Sequence, residues 1–138
     1  MADPDATRIL LVEDDEPFAA AIRRYLRARG ADVRIKPSAE DAEAALAGGY
    51  RPVLVILDIN LPGDSGWSLL RGEALRAAGD PPVVVVTATH VPAARLREFR
   101  IAGYLPKPFA LETLVATIER TTRHGRGAAW VEEEPDAL

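Results

Sequence analysis

The sequence predicts an α/β domain built on a doubly wound, five-stranded parallel sheet with five helices. Short apolar runs, rich in β-branched residues, alternate along the chain with segments of helical periodicity. Such alternation favours parallel strands joined by right-handed helical crossovers. The chain has 138 residues, enough for one domain of this kind and its core. We therefore expect the strand order 2-1-3-4-5, in which strands one, three and four are neighbours.

The five apolar runs are the predicted strands. The run at residues 53–57 consists of consecutive apolar residues, follows Pro52 and ends at Asp58, which is typical of a strand buried on both faces. The run at residues 31–35 is more polar and is expected at a sheet edge. The predicted strands are residues 8–12, 31–35, 53–57, 83–86 and 103–105.

Five segments with apolar residues at helical spacing are the predicted helices. Pro17 suits the first turn of the first helix, and Gly30 suits its C-terminal cap. Ser38, followed by Asp41 three residues later, is typical of a helix N-terminus. The predicted helices run from residue 17 to the Gly30 cap, from 39 to 47, from 66 to 78, from 92 to 100 and from 109 to 124.

Composition limits the classes of function. The net charge of −4 gives no sign of a nucleic-acid or membrane-surface binder. The absence of cysteine excludes disulfides, thiolate metal sites and cysteine nucleophiles. The first residues are acidic where a signal peptide would be basic, and no apolar run approaches the length of a membrane span. We expect a cytoplasmic protein without membrane contact.

Domain boundaries follow from the composition of the two ends. Residues 1–7 are expected to form a flexible leader and residues 125–138 a flexible acidic tail, on either side of a domain at residues 8–124. The tail combines glycine-rich spacing with acidic residues 132–134. Such a tail cannot form a winged helix or a helix-turn-helix, so direct nucleic-acid binding by this chain is not expected.

Charged or hydroxyl-bearing residues follow four of the predicted strands. Glu13 and Asp14 follow the first strand, Asp58 the third, Thr87 the fourth and Lys107 the fifth. Because ligands collect at the carboxyl ends of parallel strands, these side chains should lie close together. Packed carboxylates repel each other unless a cation neutralises them, and Mg²⁺ takes such oxygen ligands. The combination indicates a site that places a phosphoryl group on Asp58.

Each of these residues alone has a simpler explanation. Asp58 could cap a turn or the next helix, and Glu13 could belong to a solvated charge run that favours a helix N-terminus. Thr87 could be an ordinary strand-end threonine, and Lys107 a surface lysine in a proline turn. Their joint occurrence at the ends of the correct strands favours the functional interpretation.

Four motifs together resemble the receiver domain of bacterial two-component response regulators, which has a CheY-like, flavodoxin-like fold. They occur in order and at near-standard intervals, with Asp58 44 residues after Asp14 and 29 before Thr87. The resemblance covers about residues 7–122 and implies a stand-alone, phospho-accepting receiver. The motifs are LLVEDDEP at residues 10–17, DINLPGDSG at 58–66, VTA at 86–88 and YLPKPF at 104–109.

The resemblance implies a role for each residue of the candidate site. Asp58 would be phosphorylated, Asp14 would bind Mg²⁺ directly, and Glu13 would act from the same acidic pocket through water. Asn60 would offer its backbone carbonyl to the metal, which leaves its side chain free to point toward the phosphoryl group. Lys107 would pair with a phosphoryl oxygen and precede a cis peptide bond.

The resemblance also implies a switch and marks one departure from the family pattern. Thr87 and Tyr104 resemble the switch pair, in which the hydroxyl moves toward the phosphoryl group and the ring swings inward behind it. Only 19 residues separate Thr87 from Lys107, fewer than is usual, and the loss falls around residues 99–103. The fourth helix should therefore be short or re-angled. We expect a monomer that dimerises weakly, at most, on phosphorylation.

The expected function is phosphate acceptance from a histidine kinase or a histidine phosphotransfer protein, with output to an unidentified downstream protein. No enzymatic activity is expected beyond self-catalysed phosphorylation and dephosphorylation of Asp58. Two alternatives stay open. A haloacid-dehalogenase-like phosphatase also uses an aspartate and Mg²⁺ at a strand end, but it requires an acid where this chain has Asn60. A pure binding module is disfavoured because the sequence has every residue of the pocket.

Overall fold

The structure is a computed structural model that describes residues 7–124. The expected leader and acidic tail lie outside the described residues, except for Thr7, which begins the first strand. No helix in the described part of the chain is long and apolar enough to cross a membrane. The strands are β1 Thr7–Val12, β2 Ala31–Lys36, β3 Leu54–Leu57, β4 Val83–Thr87 and β5 Gly103–Pro106. The helices are α1 Glu16–Arg27, α2 Ala39–Ala47, α3 Gly66–Arg71, α4 Ala74–Ala77, α5 Ala93–Glu98 and α6 Leu111–His124.

The strands form one parallel sheet in the order β2-β1-β3-β4-β5, which confirms the predicted fold class and strand order. β3 is central, and all four of its residues are buried, as expected for a strand covered on both faces. The prediction that Val53 belongs to this buried strand was wrong. Val53 precedes β3 at the amino edge of the sheet and remains 44% exposed. A carbonyl of β1 anchors it, because its N–H donates to the Arg8 carbonyl at 2.8 Å.

Helices cover both faces of the sheet and divide the core into two clusters. α1 and α6 pack on one face, here called the long-helix face, and α2 to α5 pack on the other, the short-helix face. Successive residues of β1 alternate between the clusters, because side chains of a strand point to opposite faces. Buried on the long-helix face are Ile9, Leu11, Ile22, Leu26, Leu114 and Ile118. Buried on the short-helix face are Leu10, Val12, Leu46, Leu69, Leu75 and Leu96.

The described residues contain six helices where five were predicted. The helix expected over residues 66–78 is divided into α3 and α4, because Gly72 between them has extended backbone (φ −79°, ψ −177°). Glycine weakens a helix interior, since its backbone loses the most freedom on ordering. The helix expected over residues 92–100 is also shorter, and α5 ends at Glu98. Arg100, with φ at 55°, is in the left-handed region, where a right-handed helix cannot continue.

Two helix starts show how local sequence positions the loops around the site. Asp15 caps α1 by accepting a hydrogen bond from the Phe18 N–H at 3.1 Å. Ser38 caps α2, as predicted, by accepting from the Asp41 N–H at 3.1 Å. The cap predicted at Gly30 was wrong, because α1 ends at Arg27 and Ala28 takes the cap position. The Asp15 cap fixes the chain directly after β1, where the candidate site begins.

Candidate functional site

The acids and the lysine predicted from the strand ends meet at the carboxyl edge of the sheet. Glu13 follows β1, and its N–H donates to the Lys36 carbonyl at 3.0 Å, which extends the pairing with β2. Asp58 follows β3, and its N–H donates to the Val12 carbonyl at 3.0 Å. Main-chain bonds to neighbouring strands therefore hold both carboxylates in place. Their side chains are almost fully buried, with Glu13 2% and Asp58 5% exposed.

Lys107 joins the two carboxylates from the end of β5. Its Nζ donates to Glu13 Oε1 at 2.7 Å and to Asp58 Oδ2 at 3.0 Å. Its own N–H donates to the Thr87 carbonyl at 2.9 Å, so the start of the loop is pinned to β4. The following peptide bond to Pro108 is cis, as the resemblance implies. The result is an ammonium group fixed between two buried acids.

An aromatic wall that the sequence analysis missed completes the environment of this lysine. The Lys107 Nζ lies 4.5 Å from the centroid of the Phe18 ring, within cation–π distance. Phe18 in turn meets Phe109 edge to face, with ring centroids 5.8 Å apart. The sequence analysis had given Phe18 no role at the site. The sequence does place Phe18 close to the site, because it lies four residues after Asp14 at the start of the first helix.

Burial and ion pairing have opposite effects on the pKa values of Glu13 and Lys107. Burial raises the pKa of the Glu13 carboxyl, and the nearby Asp58 charge adds to this effect. Hydrogen bonds from Lys107 and from the Asp15 N–H oppose the rise without cancelling it, so the pKa of Glu13 remains above its ordinary value. Burial alone would lower the pKa of Lys107, but hydrogen bonds and charge from Glu13 and Asp58 outweigh it and the pKa is raised. Lys107 is therefore held firmly in its charged form.

Asp14 brings a third carboxylate to the site. It is exposed, and one oxygen each from Glu13, Asp14 and Asp58 lie within 4.8 Å of one another. Three carboxylates share this small volume with one lysine, which leaves an excess of negative charge. Hard divalent cations such as Mg²⁺ accept this set of oxygen ligands and keep several waters. Within residues 7–124, these three are the residues that could hold a metal ion.

Thr89 connects the remaining predicted residues, and no role had been predicted for it. The side-chain amide of Asn60 donates to the Thr89 hydroxyl, so it is not free as the resemblance had implied. The Thr89 N–H donates to Thr87 Oγ1 at 3.3 Å, and the Tyr104 hydroxyl donates to the Thr89 carbonyl at 3.5 Å. The Asn60 N–H also donates to Asp58 Oδ1 at 2.9 Å. A chain of hydrogen bonds therefore links Asp58 to the buried ring of Tyr104.

A cavity of about 420 Å³ opens beside this chain of hydrogen bonds. Asn60 and Thr89 line one side of it, and Trp67 and Arg95 line another. The Arg95 guanidinium lies 4.8 Å from the Trp67 ring centroid, while the rings of Trp67 and Phe99 are 5.2 Å apart. The site therefore adjoins an open surface formed by α3, α5 and the loop between β4 and α5.

Comparison with known proteins identifies the family of this chain. The family model described as the response regulator receiver domain matches residues 9–119. The chain is 34% identical over 123 residues to the transcriptional regulatory protein RprY of Bacteroides fragilis, with 87% of this chain and 51% of that protein covered. The chain spans about half the length of the curated relatives it matches.

Solved structures of response regulators are also similar to this chain. The non-phosphorylated HemR receiver domain from Leptospira biflexa is 33% identical with a TM-score of 0.71, covering 83% of this chain and 93% of that domain. A response regulator from Burkholderia pseudomallei, with a phosphorylated aspartic acid, a calcium ion and citrate, is 27% identical with a TM-score of 0.73, covering 85% of this chain and 69% of that one. With its sheet order and its motifs in register, the chain belongs to the response regulator receiver domain family.

Proposed function

We propose that this receiver domain accepts a phosphoryl group on Asp58 from a histidine kinase or a histidine phosphotransfer protein. The observation that carries the proposal is the contact of 3.0 Å between Asp58 Oδ2 and Lys107 Nζ inside an acidic cluster. Such a lysine can offset the negative charge of a phosphoryl group placed on the carboxylate. The similar Burkholderia regulator, whose structure contains a phosphorylated aspartic acid, adds support.

The proposed transfer is a nucleophilic displacement at phosphorus. A carboxylate oxygen of Asp58 forms a bond to phosphorus as the bond between phosphorus and the donor imidazole nitrogen breaks. The bonding electrons stay with that nitrogen and the other ring nitrogen keeps its proton, so the products are an acyl phosphate and a neutral histidine. Lys107 faces the oxygens on which charge collects, and its burial strengthens this interaction.

Mg²⁺ is the cofactor that the acidic cluster fits best. Asp14 and Asp58 would ligate the ion, Glu13 would act through water, and the Asn60 backbone carbonyl would complete the protein ligands. When bound, the ion supplies positive charge that offsets the acids and the phosphoryl oxygens. Glu13 is already engaged with Lys107 at 2.7 Å, which agrees with an indirect role for this residue.

The proposed switch runs through Thr89. A phosphoryl group on Asp58 offers strong acceptor oxygens to the Asn60 amide, which now donates to the Thr89 hydroxyl. It also offers them to the hydroxyl of Thr87, whose oxygen now accepts from the Thr89 N–H. Loss of the Asn60 amide to the phosphoryl group, and movement of the Thr87 hydroxyl toward it, would release the loop after β4. The Tyr104 hydroxyl bonds the Thr89 carbonyl and its ring is buried on the short-helix face, so a change in the loop reaches that face directly. Through this face the domain would contact its downstream protein.

This proposal makes the domain a signalling component, with activity limited to its own phosphorylation and dephosphorylation. A haloacid-dehalogenase-like phosphatase would need a carboxyl group at residue 60, and the amide of Asn60 instead bonds Thr89. The monomeric state, with weak dimerisation at most on phosphorylation, and the cytoplasmic location expected from the sequence stay predictions.

The test is phosphorylation by acetyl phosphate with Mg²⁺, followed by intact-protein mass spectrometry. Wild type should gain one phosphate, whereas Asp58→Asn and Asp58→Ala should gain none, and chelation of Mg²⁺ should abolish the gain. Asp64→Asn is the matched control, because Asp64 is an exposed acid of the same loop. Undiminished phosphate addition in both Asp58 variants would contradict the assignment.

A further inference from the structure

A second cavity lies at the amino edge of the sheet, opposite the site. It has a volume of about 670 Å³, within the range of ligand pockets, and is here called the basal groove. Leu26 of α1 and Ile118 of α6 form its two walls, and Val53 and Pro82 form its floor from the chain preceding β3 and β4. Val53 is the large apolar side chain left exposed among the described residues, at 44%. The groove therefore offers apolar side chains that a further apolar side chain can contact.

The chain that follows α6 starts at the mouth of the basal groove. Thr122 lines the groove, and the helix ends two residues later at His124. Trp130 follows after six residues, which span up to about 20 Å when extended. Gly125 and Gly127 lie in this connection, and glycine permits a reversal of chain direction. Trp130 can therefore reach back to the groove.

Charge at the amino edge complements the sequence around Trp130. Arg29 lines the groove, Arg8 adjoins it in β1, and Arg51 lies just before its floor. Among the described residues, none of the three has a carboxylate within ion-pair distance, and Glu119 is the single acid of the groove lining. Residues 132–134 are three consecutive glutamates. The glutamates would thus lie near these arginines when Trp130 lies in the groove.

We propose that residues 130–136 fold back onto the basal groove of the same chain. In this arrangement Trp130 enters the cavity between Leu26 and Ile118, and the glutamates of residues 132–134 face Arg29. A tryptophan buries a large apolar surface and matches a cavity of this size. The segment would cover the apolar edge that Val53 leaves exposed, at the end of the domain opposite Asp58.

Fluorescence of Trp130 tests the proposal directly. Trp67→Phe keeps an aromatic ring against Phe99 and leaves Trp130 as the single tryptophan of the 138-residue chain. We expect its emission at shorter wavelength than that of a free tryptophan peptide, and acrylamide quenching reduced several-fold. Adding Val53→Glu should shift the emission to that of the free peptide, because the new charge enters the groove beside the acidic segment.

Two controls separate docking from unfolding. Ala116→Glu adds the same charge at an exposed position of α6 outside the groove, and it should leave the emission of Trp130 unchanged. Arg29→Glu should release Trp130, and the change of residues 132–134 to lysine should restore the docked signal in that background. A thermal melt of each variant confirms that the domain stays folded.

Three results would overturn the proposal. One is emission of Trp130 equal to that of the free peptide in the Trp67→Phe protein. Another is docking that is lost on dilution, which would place the segment in the groove of a second copy. The last is failure of the charge exchange between Arg29 and residues 132–134 to restore the signal in a folded protein.

Discussion

The two faces of the sheet are covered by helices of different length. The long-helix face has α1 with 12 residues and α6 with 14, whereas the short-helix face has four helices of 9, 6, 4 and 6 residues. Helices shorter than about 12 residues are marginal in isolation and depend on tertiary packing. The long-helix face is therefore expected to be the stable scaffold, and the short-helix face the part that can change.

The functional residues divide between the faces in the same way. Lys107 lies against Phe18 of α1, so the group that would meet the phosphoryl oxygens rests on the long-helix face. Thr89 and Tyr104 lie beside α5 on the short-helix face. Under the proposed function, this division means that the phosphoryl chemistry would be held rigidly while its consequence would pass to the less stable side.

Equivalent core truncations should have unequal effects on the two faces. Ile22→Ala on α1 should lower the free energy of unfolding by about 2–5 kcal/mol, because a long packed helix cannot close the cavity. Leu96→Ala on α5 should fall at the lower end of that range, since a six-residue helix can shift inward. Urea unfolding of both variants measures the difference. A larger loss for Leu96→Ala would contradict the comparison, since both side chains are at most 1% exposed in the native protein.

Gly66→Ala should disturb the start of the short-helix face at the site itself. An added Cβ would lie 2.7 Å from the Asp58 carbonyl oxygen and 2.9 Å from the Ile59 Cα, so the backbone of the loop after β3 must move. We expect a loss of about 1–3 kcal/mol in stability and slower phosphorylation.

Gly72→Ala is the matched control for this substitution. Its Cβ would come no closer than 3.5 Å to the Ser68 carbonyl oxygen, and its φ of −79° suits alanine. Urea unfolding and the acetyl phosphate assay should give near wild-type values for this variant. Equal losses in both variants would show that close approach at Gly66 is not the cause.

Removal of the Tyr50 hydroxyl should cause the smallest loss of stability among these substitutions, and the loss should depend on pH. Its hydroxyl donates to the Ile9 carbonyl at 3.2 Å, and burial raises its pKa, with Asp32 adding to the rise and Arg34 and Arg8 opposing it. A raised pKa in the folded state means that the stabilisation is complete below the ordinary value of about 10 and is lost as pH rises through the raised value.

The comparison of wild type with Tyr50→Phe isolates this group. At neutral pH the variant should be about 0.5–1.5 kcal/mol less stable, because the hydrogen bond is lost. Above about pH 10 the difference should shrink, since wild type alone must ionise a half-buried phenol. Urea unfolding across this range checks the prediction, and a difference independent of pH would contradict it.

Much of the fold was predictable because hydrophobic patterning decides it. The apolar runs in β1, β3 and β4 and the cap at Ser38 follow from local sequence. The errors in the predicted strands and helices lie where tertiary packing overrides the hydrophobic pattern of the sequence. Val53 has the composition of a strand but lies beyond the covered edge, and Gly72 has apolar neighbours at helical spacing but extended backbone. Such outcomes depend on which neighbours cover a residue.

The candidate site was predictable in its charged residues and less so in their connections. Glu13, Asp58 and Lys107 follow strands, so topology brings them together. Thr89 and Phe18 could not be assigned in this way, because their roles depend on side-chain directions in loops and at a helix start. The bond from the Asn60 amide to Thr89 was also missed, because Thr89 lies 29 residues away in sequence and local patterns do not reveal such a contact.

Hydrogen exchange with and without beryllofluoride, in the presence of Mg²⁺, tests the central claim most directly. Beryllofluoride would mimic the phosphoryl group proposed for Asp58, so it should act through Thr89 on the short-helix face. In the free protein we predict rapid exchange across residues 92–103, and marked slowing there after beryllofluoride is added, with α1 and α6 unchanged. Slow exchange of residues 92–103 that beryllofluoride leaves unaltered, or an equal change in α6, would contradict the division between scaffold and responsive face.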